Sequence, residues 1–196
     1  LKMDNASVRV AVGLRLGAPI VHLHKCVCGA TVSTDGLHGL SCRHGFGRHA
    51  RHNQVNVILC RAFNSVGAYA TREPHSLCGL SEKRPDGVTQ IPWRRGRCLA
   101  WDATCPNTYA QSYVQATSRQ AGSAAAGAEQ KKLLKYSDMS SAIDFVPVAI
   151  KSSGVWGEQT VNLVTETGRR IADHRSISKG TTRVDQVRRE ETGWVD

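Results

Sequence analysis

An α/β fold, with a central sheet covered by helices, is predicted by three features of the sequence. Val55, Ile58, Leu59, Ala62, Phe63 and Val66 recur at three- and four-residue intervals, the mark of an amphipathic helix. Two strand-like runs, 84–92 and 97–105, flank the turn "WRRG" and predict an antiparallel hairpin. The run "IDFVPVAIKS", 143–152, is apolar almost throughout, as a strand buried on both faces would be. The predicted order is helix, two or three strands, helix, strand, helix.

Taken in order, residues 1–25 form an N-terminal extension. Its "VRVAVGLRLGAPIVHLHK" alternates like a strand, is broken by Gly17 and Pro19, and is expected to pack against the neighbouring Cys/His-rich segment. Residues 26–52 are rich in Cys, His and Gly and poor in apolar periodicity, so they need a staple to be ordered. Asn53 is placed to cap the first helix and Gly67 to end it, and a short strand is expected at 68–72. Residues 108–138 favour a long helix interrupted at Gly122 and Ser123, with its firm part in "AAAGAEQKKLLKYSDM". A closing helix is expected over 157–171. The remainder, "DHRSISKGTTRVDQVRREETGWVD", is charged and patternless and reads as a tail, so 53–174 form the main domain and 175–196 the tail.

A chain of 196 residues with 40% hydrophobic content can bury one main core and a small satellite module. It has no run of 18 apolar residues and no charged-then-apolar leader, which argues against a membrane span and a secretion signal. A soluble, intracellular protein is expected. Its first residue, Leu1, suggests a piece of a longer polypeptide. Lys and Arg outnumber Asp and Glu by 26 to 16, giving a net charge of +10 and a pI near 9.6. Such an excess favours a polyanionic partner, most economically nucleic acid, with a solvated basic surface as the alternative. Seven cysteines, an odd and unevenly spaced set, do not make a disulfide scaffold, and metal binding is the better reading.

The segment "EKRPDGVTQIPWRRGRCLAWDATC", 82–105, places two acids in apolar or turn-forming settings of a basic protein. A symmetric hairpin centred on Arg94 pairs residues whose numbers sum to 188, which sets Asp86 opposite Asp102. Directly opposed side chains have Cβ atoms about 4.5–5.5 Å apart. Two carboxylates that close need a cation or a shared proton between them, and Mg²⁺ or Mn²⁺ suits oxygen ligands. "RPDG" alone is ordinary turn chemistry. Asp102 is harder to dismiss: inside "CLAWDATC" an acid requires a partner, and Arg84, Arg94, Arg95 or Arg97 could serve. Lys132, Lys135 and Tyr136 share one helical face, which could lie across the strand ends and bring a lysine to the site. Cys60, Cys78, Cys98 and Cys105 read as core cysteines.

"RPDG", then "WDAT", then "KKLLKY" on a helix resembles the restriction-like endonuclease of site-specific non-LTR retrotransposons, a branch of the PD-(D/E)XK superfamily. The resemblance implies a restriction-endonuclease-like core of helix, three-stranded meander, helix and strand, preceded by a CCHC zinc knuckle and a basic segment similar to "GRHARHN", 47–53. It implies that Asp86 and Asp102 hold Mg²⁺ or Mn²⁺ and that Lys132 or Lys135 is the catalytic lysine, Lys132 being favoured. Glu73 resembles an additional acidic position. The superfamily usually has its lysine two residues after the second acid, where this chain has Thr104; the related retrotransposon nucleases move it to the following helix. Within "CVCGATVSTDGLHGLSC", Cys26, Cys28, His38 and Cys42 supply a ligand set for structural Zn²⁺, with His24, His44, His49 and His52 as alternatives for the fourth ligand.

The function so implied is nicking of target DNA to prime reverse transcription, in the nucleus. Arg48, His49, Arg51 and His52 would contact DNA. The partners would be target DNA, element RNA and an upstream reverse-transcriptase domain of the same polyprotein, with no membrane involved. The alternatives are a non-catalytic zinc-containing nucleic-acid-binding module from a decayed element and a zinc-stabilised assembly domain.

Overall fold

The computed structural model describes residues 3–42, 44–75, 83–152 and 154–192. Cys78 and part of "REPHSL" lie outside them. The N-terminal segment is a helix, α1 (Asn5–Leu16), rather than the expected strand-like run. Local signals at both ends override the alternation. Asp4 Oδ1 accepts the Ser7 amide at 2.9 Å and caps the start, while Gly17, at φ 65°, ends the helix in the left-handed conformation. The valines that suggested a strand, Val8, Val10 and Val12, remain exposed.

A two-stranded antiparallel ribbon comes next, β1 (His24–Lys25) and β2 (Thr31–Val32), and then the short helix α2 (His38–Ser41). Helix α3 (Phe46–Ser65) begins well before Asn53 and takes the basic segment into its first two turns. Asn53 does not cap it; its Oδ1 accepts from Arg72 at 2.6 Å instead. Gly67 ends this region as expected, at φ 73°.

The main sheet has the order β3 (Ala70–Arg72), β4 (Gly87–Thr89), β5 (Cys98–Thr104) and β6 (Ile143–Ala149). The first three strands form an antiparallel meander and β6 joins β5 in parallel. Between β5 and β6 the chain forms α4 (Gln111–Arg119) and α5 (Ser123–Lys135), separated at Gly122, whose φ is 88°. The architecture is therefore a mixed α/β layer structure.

The expected pairing sum of 188 holds at the base of the hairpin, at Gly87↔Trp101 and Val88↔Ala100. The tip does not obey it, because Arg94 pairs with Arg97 and the turn is Arg95 and Gly96, both at positive φ. That two-residue turn matches strand twist, so the hairpin centres there rather than on Arg94. The surplus in the first strand is absorbed around Thr89, whose Oγ1 takes the Leu99 amide at 3.0 Å and donates to Ile91 O at 2.9 Å.

One face of the sheet packs on α3 and on α6 (Glu158–Thr192). Phe63 is fully buried there, with Trp93 and Trp101 each at a ring-centroid distance of 5.1 Å. Trp101 Nε1 donates to Asn56 Oδ1 at 2.9 Å, satisfying the indole in the core. The same ring explains Gly87: a Cβ there would meet Trp101 Cζ2 at 2.2 Å. The glycine of "RPDG" is thus a packing glycine within β4 rather than only a turn residue.

On the other face Ala125 and Ala128 of α5 pack on Ala149, and Tyr136 stacks on Phe145 at 4.5 Å. Buried Glu129 of α5 accepts the Thr160 amide at 3.1 Å and so caps α6 from a neighbouring helix. Gly157 allows that approach, since its Cβ would overlap the Glu129 carboxylate. The expected charged tail is helical as far as the described residues reach: α6 continues for 35 residues, to Thr192. Ion pairs of Glu166 with Arg170 and of Arg169 with Asp173 support the continuation beyond 171 without an apolar face.

Candidate functional site

Strand β4 stops at Gly87, which leaves the far half of β5 without a strand partner on that side. Asp86 fills the gap. Its amide donates to Trp101 O at 2.9 Å, and its Oδ2 accepts the Ala103 amide at 2.7 Å. The carboxylate is therefore turned along the edge of β5, rather than facing Asp102 across a continuing ladder as the symmetric hairpin implied. Its second partner is His52 Nε2, at 2.9 Å. Burial pushes the Asp86 carboxyl up, but the His52 and Ala103 hydrogen bonds outweigh it and hold the group below the ordinary carboxylate range. The Asp86 hydrogen bond raises the His52 pKa against desolvation; the charge of Asp102 adds to the rise and that of Lys132 opposes it.

Asp102 sits in the middle of β5 and is 3% exposed. The arginines considered as its partners do not reach it. Instead its Oδ1 accepts from Lys132 Nζ at 2.5 Å, and its Oδ2 lies 3.3 Å from Lys135 Nζ and 2.6 Å from the Tyr136 hydroxyl. The expected face of α5 thus closes over the acid. The Tyr136 hydroxyl also lies 2.7 Å from Arg84 O, so its one proton is shared between two acceptors. Lys132 is the better sheltered lysine, and Lys135 also lies over the Tyr136 ring at 4.5 Å.

A cleft of about 490 Å³ opens at this end of β5. Its walls include His49 and His52 from α3, Thr104 and Asn107 after Asp102, Tyr113 from α4 and Lys132 from α5. Leu40 and Ser41 of α2 complete it, so the Cys/His segment contributes to one wall.

That segment forms the metal-ligand cluster expected of it. The ligand atoms of Cys26, Cys28, His38 and Cys42 all lie within 4.8 Å of one another. The Sγ atoms of Cys26 and Cys42 are 3.7 Å apart, and Cys28 Sγ is 3.3 Å from His38 Nε2. A tetrahedron with Zn–S bonds of about 2.3 Å has S···S edges of about 3.8 Å, so the set fits zinc. His38 opens α2 and Cys42 is its C-cap, at i and i+4, while Cys26 opens the ribbon turn, its amide donating to Ala30 O at 2.9 Å, and Cys28 lies within that turn just before Gly29. The Cys28 amide and then His38 lower the Cys26 thiol to about 6, which favours the ligating thiolate.

The remaining expected residues divide. Glu73, at φ 49°, pairs with Arg84 at 3.1 Å on the surface, and only its amide reaches Asp86, donating to Asp86 O. Arg51 donates to Leu40 O at 2.9 Å, tying α3 to the Cys/His segment rather than projecting towards a ligand. His52 is held by Asp86, and His49 lines the cleft. Arg48 is placed in the first turn of α3. The alternative zinc ligands His24 and His52 are otherwise engaged, with His24 Nδ1 donating to His22 O. Cys60 packs against the core, whereas Cys105 lines the cleft.

Sequence reasoning assigned no site role to Asn56, Tyr113 or Tyr136. Tyr136 had a signal, one residue beyond Lys135 on the same face; Asn56 and Tyr113 had none. No protein-family model matches this chain, and no curated protein matches it.

Proposed function

We propose that this chain is a metal-dependent nuclease, which hydrolyses a phosphodiester at the cleft beside Asp86 and Asp102. The resemblance of "RPDG", "WDAT" and "KKLLKY" supports a more particular reading: a DNA-nicking, restriction-like endonuclease of the PD-(D/E)XK type, from a site-specific non-LTR retrotransposon or a gene derived from one. The observation that carries it is a buried carboxylate, Asp102, held by two lysines, with a second carboxylate, Asp86, bonded to Ala103 of the same strand, next to an open cleft that His52, Ala103 and Lys132 line in a basic protein.

Two carboxylates offer the hard oxygen donors that Mg²⁺ or Mn²⁺ prefers. Such an ion, when bound, supplies Lewis acidity towards a phosphate. To admit it, His52 yields its hold on Asp86 and the lysines shift from Asp102. Lys132 is then the group that orients the attacking water and offsets phosphate charge. Tyr136 keeps the Asp102 carboxylate in place. Zn²⁺ at Cys26, Cys28, His38 and Cys42 serves structure. The nick would leave a 3′ hydroxyl to prime the reverse transcriptase of the same polyprotein, acting in the nucleus on element RNA.

The test is nicking of supercoiled plasmid with Mg²⁺ or Mn²⁺, wild type beside Asp102→Ala, with Asp102→Asn as a folding control. Cleavage is expected in the wild type and only background in both variants; activity surviving Asp102→Ala sinks the site. Lys132→Ala is expected to cost about 100-fold or more. A second reading, a non-catalytic nucleic-acid-binding module, is favoured by one observation: both carboxylates are already engaged by side-chain nitrogens, Asp86 by His52 and Asp102 by Lys132. DNA binding without cleavage would select it.

A further inference from the structure

The arginine-rich bend "WRRGR", 93–97, stands at the opposite end of β5 from the cleft, and local rules argue against its composition. Arg94 and Arg97 pair directly across the ribbon, where like charges repel. Between them Arg95, at φ 47°, and Gly96, at φ 73°, make a turn in which both residues are left-handed. Asn or Asp followed by Gly suits such a turn, because a short polar side chain bonds locally at positive φ and an arginine does not. The amides of Trp93 and Arg94 both donate to Arg97 O, at 2.7 and 3.3 Å. That is the two-to-one count of a β-bulge, a device that re-aims side chains.

The base of the bend is fixed to the rest of the molecule. Trp93 is 3% exposed and meets Phe63 edge-on. The Arg170 guanidinium of α6 lies 3.8 Å from the centre of the Trp93 ring, and its Nη2 donates to Trp93 O at 2.8 Å. Arg170 is itself held by Glu166, to which its Nε donates at 2.7 Å.

The tip, by contrast, is unengaged. Arg94 and Arg95 are exposed and Arg97 is half-buried. Among the described residues no hydrogen bond or ion pair involves any of the three guanidinium groups. Elsewhere Arg84 pairs with Glu73, and Arg169 with Glu166 and Asp173. A like-charged pair and an ill-suited turn residue on an anchored base are local costs of the kind that folds concentrate where function requires them.

We infer that the bend is a phosphate clamp, in which Arg94, Arg95 and Arg97 donate to backbone phosphates of the DNA duplex that the cleft engages. The shared duplex rests on the nuclease reading; the phosphate contact does not. The guanidinium fork matches phosphate oxygens, and bound phosphate relieves the repulsion between Arg94 and Arg97. Five residues separate Arg97 from Asp102. Along a strand that is roughly 17 Å, the rise of about five base pairs of duplex. One duplex lying along β5 would thus be held at both ends of the strand.

Duplex binding without added Mg²⁺, measured by fluorescence anisotropy over a range of salt, tests the clamp. The wild type is compared with Arg94→Gln/Arg95→Asn/Arg97→Gln and with a control of equal charge, Arg9→Gln/Arg61→Gln/Arg119→Gln, which removes three exposed arginines elsewhere. The bend variant is expected to bind about tenfold more weakly or worse and to lower the slope of log affinity against log salt by about 2–3, with the control close to wild type. Equal losses in the bend variant and the control overturn the clamp, since long-range charge would then account for both. Arg95→Asn alone is expected to weaken binding and yet raise the urea midpoint, because asparagine suits the turn; a higher midpoint with unchanged binding overturns the part given to Arg95. With Mg²⁺ present the bend variant is expected to nick with a raised KM and an unchanged kcat. Bend-dependent binding in a protein that nicks nothing leaves the clamp standing and counts against the nuclease reading, whereas a wild type that binds no duplex at low salt overturns the clamp. Urea midpoints verify that each variant is folded.

Discussion

The 2.9 Å contact between His52 Nε2 and Asp86 Oδ2 makes the charge of each depend on the other. His52 is raised, so its contribution to stability is fully present below the unfolded value of about 6.5 and is lost as pH rises through the folded value. Asp86 is lowered, so its contribution is present above about 3.9 and is lost as pH falls through the depressed value. Both contributions hold between roughly pH 4 and 6.5. The loss of stability in His52→Gln is therefore expected to be largest in that window, measured by urea midpoints. In the nuclease reading Mg²⁺ competes for Asp86, so adding it is expected to lower the His52 titration midpoint followed by NMR; an unmoved midpoint would count against metal at Asp86. Asn56→Ala leaves the buried Trp101 N–H without an acceptor and is expected to cost about 1–3 kcal/mol. Asp102 was legible as a residue requiring a partner because an acid inside an apolar strand run is costly. That its partners would be lysines rather than arginines depended on where α5 crosses the sheet.

At the scale of elements, the Cys/His segment is too small to order itself by apolar burial, and metal is expected to supply its stability. One zinc per chain is expected by elemental analysis. Chelation is expected to raise amide exchange across β1, β2 and α2, and also around the cleft, since Leu40 and Ser41 form part of its wall and Arg51 bonds to Leu40. Helix α6 illustrates a limit of reading by pattern. Its distal half has no apolar periodicity, so the sequence suggested a tail, but continuation of a nucleated helix needs only one further hydrogen bond per residue. The N-terminal alternation failed for the converse reason: local caps at Asp4 and Gly17 specified a helix where no sheet edge received a strand. Glu129→Gln keeps the hydrogen-bond geometry at the start of α6 but removes the charge that meets its dipole. It is expected to cost about 0.3–2 kcal/mol, read from thermal or urea unfolding.

For the whole molecule, a net charge of +10 gives the nucleic-acid reading a distinctive signature. Phosphate binding weakens steeply with salt through counterion release, whereas association through apolar surface does not. A duplex affinity that is flat between low and moderate salt would leave the assembly reading as the stronger one. The sequence by itself determined the α/β class, the order of the main helices and strands, the Cys26–Cys28–His38–Cys42 inventory and the two acids with the lysine-bearing helix. These come from periodicity, ligand chemistry and the cost of burying charge, all local properties. Only the tertiary structure decided that β4 ends at Gly87 and turns Asp86 to His52, and that α5 delivers Lys132 and Lys135 to Asp102. Those outcomes depend on which distant segments meet when the sheet closes its core around Phe63 and Trp101, and short-range patterning does not encode that meeting.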